Sequence, residues 1–228
     1  MSPPSRATAD TVAGLLWGAY GDFAHGNKRR AFDELLYILS SIKTTERKHA
    51  ESYRSLRRAF PTYADVAGAT EEDLAEALSV GGFQTIKAQT IRRAVDAIVE
   101  RFGRPTLAPL RRMDDDDAER ELLALPGVGP KIARCVMMYA LDREVFPVDT
   151  NCWRIAVRLG WIEPKPGGRQ ITAKDMDRLQ DRIPPDLRYS LHVNMVSHGR
   201  RVCTPKRPEC SRCVLVDLCP QVGVDVAG

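Results

Sequence analysis

The sequence predicts an all-α protein. Apolar residues recur at helical spacing along almost the whole chain, few segments alternate with period two, and Pro and Gly clusters cut the periodic stretches into helix-sized lengths. With 228 residues, 43% of them hydrophobic and 28% charged, the composition is that of a globular protein, not a disordered one. The length allows one large domain or two small ones, and a core that needs no disulfide staples.

The elements follow in order. Residues 1–7 are Pro/Ser-rich and read as a frayed start. Helical patterns then begin near 11–16 and recur at 31–39 and, amphipathic and rich in Glu, Arg and Lys, at 45–59. Thr70 ahead of Glu71, Glu72 and Asp73 is a capped start for 71–79. The longest stretch is 84–102, with Ile86, Ile91, Ala94, Val95 and Ile98 on one face. Further helices fit 115–124, 130–141, 150–159, 173–182 and 188–198. The acidic run Asp114 to Asp117 suits a solvated helix start, where the dipole favours negative charge. Breaks fall at Pro61, Gly81-Gly82, 105–109, 126–130, Pro147, 164–168 and Pro184-Pro185.

No apolar run approaches the roughly 18 residues of a membrane span, and the first ten residues lack the apolar core of a secretory signal. The expectation is a cytoplasmic protein, nucleoid-associated if bacterial, with no membrane partner. Net charge is +4, compatible with nucleic acid but not diagnostic of it.

Six cysteines without an export signal argue against a disulfide framework. Four of them, Cys203, Cys210, Cys213 and Cys219, crowd into seventeen residues. Four soft thiolates suit a tetrahedral zinc or an iron–sulfur cluster, and ligand type alone does not separate the two. The same stretch carries Arg200, Arg201, Lys206, Arg207 and Arg212 against one Glu209. A metal-clamped loop would hold such cations ready for phosphates, and they also balance the charge of the thiolates.

Leu125-Pro126-Gly127-Val128-Gly129-Pro130-Lys131 lies between two helical patterns. Its glycines allow a tight turn and Pro130 suits a first helical position. Exposed N–H groups there would make a phosphate-binding nest, although a plain helix–helix turn looks the same. Lys131 follows at a helix N-terminus, where the dipole disfavours an ammonium and a neutral amine can act as a nucleophile. Asp149 precedes a helical run and reads as an N-cap, a carboxylate fixed in place for electrostatics or proton transfer. His192 and His198 read as packing or hydrogen-bonding residues rather than ligands or bases.

In combination and in order, the LPGVGPK hairpin, the PVDTN segment, HisGlyArg at 198–200 and the four-cysteine loop resemble the endonuclease III family of helix-hairpin-helix DNA glycosylases, over nearly all of residues 30–220. The resemblance implies a two-lobed fold: a six-helix domain over 30–146 and an iron–sulfur domain from 1–29 plus 147–228, with DNA across the cleft. It implies a [4Fe-4S] cluster on Cys203, Cys210, Cys213 and Cys219. Lys131 falls on the catalytic lysine of bifunctional members and Asp149 on the catalytic aspartate. Leu125, Gly127, Val128 and Gly129 fall on the DNA-gripping hairpin, and Gly82, Phe83 and Gln84, ahead of Lys87, on the loop that wedges into the duplex. Ile42 stands where endonuclease III tends to have a plugging Gln, and Asn151 where a His is common. The stretch 146–161 is also similar to plant Demeter-type 5-methylcytosine glycosylases, through altered specificity or shared ancestry.

The expected function is a monomeric DNA glycosylase/AP lyase of base excision repair. It would remove oxidised or otherwise modified pyrimidines from double-stranded DNA and nick by β-elimination through a lysine Schiff base. The alternatives are a monofunctional T/U·G mismatch or 5-methylcytosine-type glycosylase, a non-catalytic DNA-binding module and a ferredoxin-like electron carrier.

Overall fold

A computed structural model describes residues 4–23, 25–165, 167 and 170–224. Among them are eleven α-helices and no strand. The chain divides into two compact units, Gly26–Arg143 and Met1–His25 with Glu144–Gly228. Both boundaries lie a few residues ahead of those expected at 29/30 and 146/147. Asn27 and Lys28 are tied to the central unit through Glu34, while Phe146 sits in the core of the terminal unit with its N–H on Gln180 Oε1, 2.7 Å.

The central unit holds α2 (Ala31–Leu39), α3 (Glu46–Ala59), α4 (Tyr63–Gly68), α5 (Glu71–Leu78), α6 (Gln84–Phe102), α7 (Asp115–Leu123) and α8 (Pro130–Leu141). That is one more helix than the expected six. The addition, α4, buries only Val66 and starts on a capping box between Thr62 and Asp65. α2 is buried along nearly its whole length and packs on α8, α6 and α3. Thr70 caps α5 by the same box as α4. Asp114 accepts from the Asp117 N–H and caps α7. Ile86, expected on the buried face of α6, is 46% exposed, and the buried stripe is Lys87, Ile91, Ala94, Val95 and Ile98.

The terminal unit holds α1 (Arg6–Tyr20), α9 (Thr150–Arg158), α10 (Ala173–Gln180) and α11 (Arg188–Arg201). Ser5 caps α1, so the frayed start does not extend to residue 7; residues 1–3 lie outside the described residues, as does part of the expected break at 164–168. α1 and α9 both pack on α11, joining Val12, Leu16, Ile155, Ala156, Leu191 and Met195 in one core. After α11 the described residues hold no long helix, only short 3₁₀ turns at Cys210–Arg212 and Val216–Leu218. No helix of the described residues is long and apolar enough to cross a membrane.

Candidate functional site

In the central unit, the turn between α7 and α8 is held by the Val128 N–H on Leu125 O, 3.1 Å. Leu125 and Val128 are buried. Their side chains therefore anchor the turn, and only their backbone is offered to a ligand. Gly127 is exposed at φ +80°, and a Cβ there would lie 2.5 Å from Thr90 Cγ2 on α6. Glycine is required on both counts. Gly129 caps α8 with extended backbone, Pro130 takes the first position and half-buried Lys131 the second. The N–H groups of this first turn have no intrahelical partner.

Sequence reasoning missed Glu34, a carboxylate inside the apolar run of α2 and fully buried. It accepts from Asn27 Nδ2 and from the Lys28 N–H, each at 2.5 Å. Burial pushes its pKa up to about 7, opposed by those two hydrogen bonds and by the charges of Lys28 and Lys131. The amine of Lys131 is thus within electrostatic reach of a buried carboxyl. The signal in the sequence was the acidic residue in the middle of a hydrophobic stripe.

Two further loops of this unit carry the residues expected to enter the duplex. Phe83 is 51% exposed and Gln84 is exposed at the start of α6, while Ile42 is half-buried. Lys87 departs from its expected DNA-contacting role. Its side chain is wholly buried, with Nζ donating to Thr44 Oγ1 (2.5 Å) and Gly81 O (3.2 Å), so it presents no charge to a phosphate.

In the terminal unit, Asp149 caps α9 as expected: Oδ1 accepts from the Cys152 N–H at 2.7 Å. Oδ2 accepts from Asn151 Nδ2 at 2.9 Å. Asn151 Oδ1 in turn accepts from Arg154 Nη2 at 2.8 Å, and Arg154 also donates to Gly199 O and Cys203 O, both 2.9 Å. A Cβ on Gly199 would lie 2.6 Å from that of Asn151, which explains the glycine of HisGlyArg. The aspartate is thereby fixed by a backbone amide and a side-chain amide, each partnered to its own oxygen.

Cys203, Cys210, Cys213 and Cys219 line one small pocket with Arg158, Val202 and Pro208 among its walls. Arg158 Nη1 donates to Cys203 Sγ at 3.0 Å and to Thr204 O at 2.9 Å, and Nη2 donates to Pro205 O at 3.1 Å. The Leu215 N–H donates to Cys213 Sγ at 3.4 Å. Burial pushes the Cys213 and Cys219 thiols up. Iron, which binds the thiolate, reverses that cost, so the donor set fits a cluster. His198 is buried between Tyr20 Oη (2.9 Å from Nδ1) and Cys213 Sγ (3.4 Å from Nε2). His192 is buried with Nδ1 2.7 Å from Pro147 O. Both histidines hold structure together. Arg200, Arg201, Lys206 and Arg207 are exposed around the loop, with the Arg201 guanidinium 5.7 Å from the Tyr20 ring.

An all-helical chain with a glycine hairpin before a helix-start lysine, a capping aspartate and a four-thiol loop defines a helix-hairpin-helix repair protein with an iron–sulfur segment. Comparison with known proteins agrees. Residues 37–181 match the family model of the HhH-GPD superfamily base excision DNA repair proteins, and residues 203–219 the iron–sulfur binding domain of endonuclease III. An Arabidopsis thaliana protein assigned by name to the DNA glycosylases is 34% identical over 198 residues, 84% of this chain and 65% of that one. Endonuclease III of Thermotoga maritima is 29% identical over 188 residues, 82% of each chain. The fold is similar to that of the protein in a trapped endonuclease III–DNA covalent intermediate, with a TM-score of 0.78 at 22% identity, covering 96% of this chain and 97% of that one. The chain belongs to the HhH-GPD superfamily of base excision DNA repair proteins and is of the endonuclease III type, with a [4Fe-4S] cluster as its cofactor.

Proposed function

We propose that the protein is a DNA glycosylase with AP lyase activity that excises modified pyrimidines from duplex DNA. The observation that carries this reading is the pair Lys131 and Asp149: an amine at the open N-terminus of α8, directly after the hairpin, and a carboxylate held at both oxygens at the start of α9. The Gly127–Gly129 turn and the first turn of α8 offer backbone N–H groups to phosphate. The exposed cations around the cysteine loop add attraction without base specificity. Phe83 and Gln84 fill the gap left by the extruded nucleotide, whose unstacking costs a few kcal/mol.

Asp149 stabilises positive charge developing on the sugar, and Lys131 reacts as the neutral amine, its proton passing to solvent. The neutral amine forms a bond to C1′ as the glycosidic bond breaks, and the base leaves with its electron pair. Ring opening gives the imine. Its electron demand acidifies C2′–H, and loss of that proton expels the 3′ phosphate oxygen. Cys203, Cys210, Cys213 and Cys219 are the ligands of the cluster, whose part is to fold the basic loop.

The test is borohydride trapping with duplexes that carry an abasic site, thymine glycol, dihydrouracil, 5-methylcytosine, or a T·G or U·G mismatch. A covalent adduct is expected, and Lys131→Ala should lose both adduct and nicking while keeping most duplex affinity. Nicking at an unchanged rate in that variant would overturn the lysine assignment. Base release with no adduct would point to the monofunctional reading, and reaction with 5-methylcytosine alone to the Demeter-type substrate.

A further inference from the structure

Two loop tips in the central unit share an uncommon backbone. Lys43 (φ +50°) and Phe83 (φ +51°) are both left-handed, a conformation that residues with a side chain rarely adopt. They meet: Lys43 Nζ lies 5.2 Å from the Phe83 ring centroid. Val80 and Ile86, three residues to either side of Phe83 in the chain, are also exposed, at 40% and 46%. Two strained residues in contact on separate loops need support from beneath.

Lys87 supplies it. The stripe it shares with Ile91, Ala94, Val95 and Ile98 would ordinarily take an aliphatic residue. Its ammonium instead bonds two neutral oxygens, one on each loop: Thr44 Oγ1 and Gly81 O. The Thr44 hydroxyl is itself 3.0 Å from both Ile42 O and Gly81 O. Gly81 is pressed against this group so closely that a Cβ would fall 2.5 Å from Lys87 Nζ and 2.8 Å from Ser52 Oγ. Burying an ammonium against neutral partners is costly, and burial lowers its pKa accordingly. A fold that needed only packing here would do better with methionine or leucine.

We propose that Lys87 and Thr44 are positioning residues: a buried clasp that ties the 42–44 loop to the 79–83 turn, so that Lys43 and Phe83 enter the duplex as one preset wedge. The proposal rests on the DNA-nicking reading above. Its physical content is preorganisation, in which the ordering cost of two loops is met on folding rather than on binding.

The experiment uses the full chain with its cluster, an abasic-site duplex, and the same abasic strand unpaired, which has no stack to enter. Single-turnover nicking is measured on both. Lys87→Met and Thr44→Val should slow the duplex reaction about 10- to 100-fold, the scale of an ångström-sized misplacement, and leave the single-strand rate unchanged. Thr44→Ser, which keeps the hydroxyl, should restore the wild-type ratio. Phe83→Ala should add little further loss to Lys87→Met, since both act on one wedge. If Lys87→Met does not fold, the Thr44 pair carries the test alone. An unchanged duplex-to-single-strand ratio overturns the clasp, as does an equal loss on both substrates, which is simple destabilisation. Wild-type protein that nicks neither substrate overturns the lyase reading instead, and the clasp with it.

Discussion

Gly127→Ala should destabilise the protein by about 2–5 kcal/mol. The left-handed backbone accounts for about 1–2 kcal/mol of this. The new Cβ, 2.5 Å from Thr90 Cγ2, accounts for the rest, about 1–3 kcal/mol of overpacking. The two parts separate cleanly. Beyond Cγ2, the nearest atom to that Cβ is Thr90 Cβ, at 3.8 Å. Thr90→Ser removes the obstructing methyl and keeps the hydroxyl that donates to Ile86 O at 2.7 Å. The double variant should therefore regain the overpacking part and keep the backbone part. Urea unfolding of the four proteins at one pH gives the cycle, with duplex affinity measured in parallel. Affinity should fall in Gly127→Ala and recover only in part, because the turn remains distorted. A Gly127→Ala protein as stable as wild type, or no recovery from Thr90→Ser, would refute the account of the hairpin.

Three other outcomes are expected. Asp149→Asn keeps an N-cap acceptor for the Cys152 N–H but sets its amide nitrogen against the Asn151 Nδ2 donor, so its unfolding free energy should fall by about 1–3 kcal/mol; base release in a single-turnover assay should be lost altogether. Glu34 holds its proton more tightly folded (about 7) than an ordinary carboxyl (4.5). Its contribution to stability is therefore present at low pH and lost as pH rises through that window, by at most 2.5 × 1.36, about 3 kcal/mol. Urea midpoints of wild type and Glu34→Gln should diverge between pH 4.5 and 7, with the variant flatter. Arg158→Met removes the guanidinium bonds to Cys203 Sγ, Thr204 O and Pro205 O. Charged-donor bonds are worth about 1.5–3 kcal/mol each, so iron release to a chelator, followed by visible absorbance, should quicken about tenfold or more.

Most of the helical frame was legible because periodicity and caps agree. The stretch 31–39 and the Thr70 start coincide with α2 and α5, and Asp149 caps α9 as its position predicts. The exceptions have physical causes. Residues 63–68 bury one side chain, too few for a period to register, although Thr62 and Asp65 spell the capping box. Hydrophobicity alone put Ile86 inside and Lys87 outside. The helix phase set by Ile91, Val95 and Ile98 puts them the other way round, and only a reading that lets a lysine into the stripe finds this. Leu125 and Val128 were read with the DNA contacts because they belong to the hairpin motif; their side chains turn inward. The Asn151–Arg154 bonds that fix Asp149 depend on Gly199 and Cys203 of a distant segment, and no local pattern encodes them.

The division of the chain also sets an order of assembly. The central unit is one continuous segment, whereas the other is made from two segments on either side of it. Helix α1 packs on α11, and 167 residues separate Tyr20 from Arg188. At a synthesis rate of about 5–20 residues per second, α1 waits roughly 10–30 s on the ribosome for its partner. Its apolar face, Val12, Ala13 and Leu16, is uncovered during that time, while the central unit has all the chain it needs to fold. The cysteine loop emerges after α11, so its four thiols become available only once the whole central segment has been made. A chain that stalls before α11 emerges would therefore carry all of the central unit and an uncovered α1, a species open to chaperones or proteolysis.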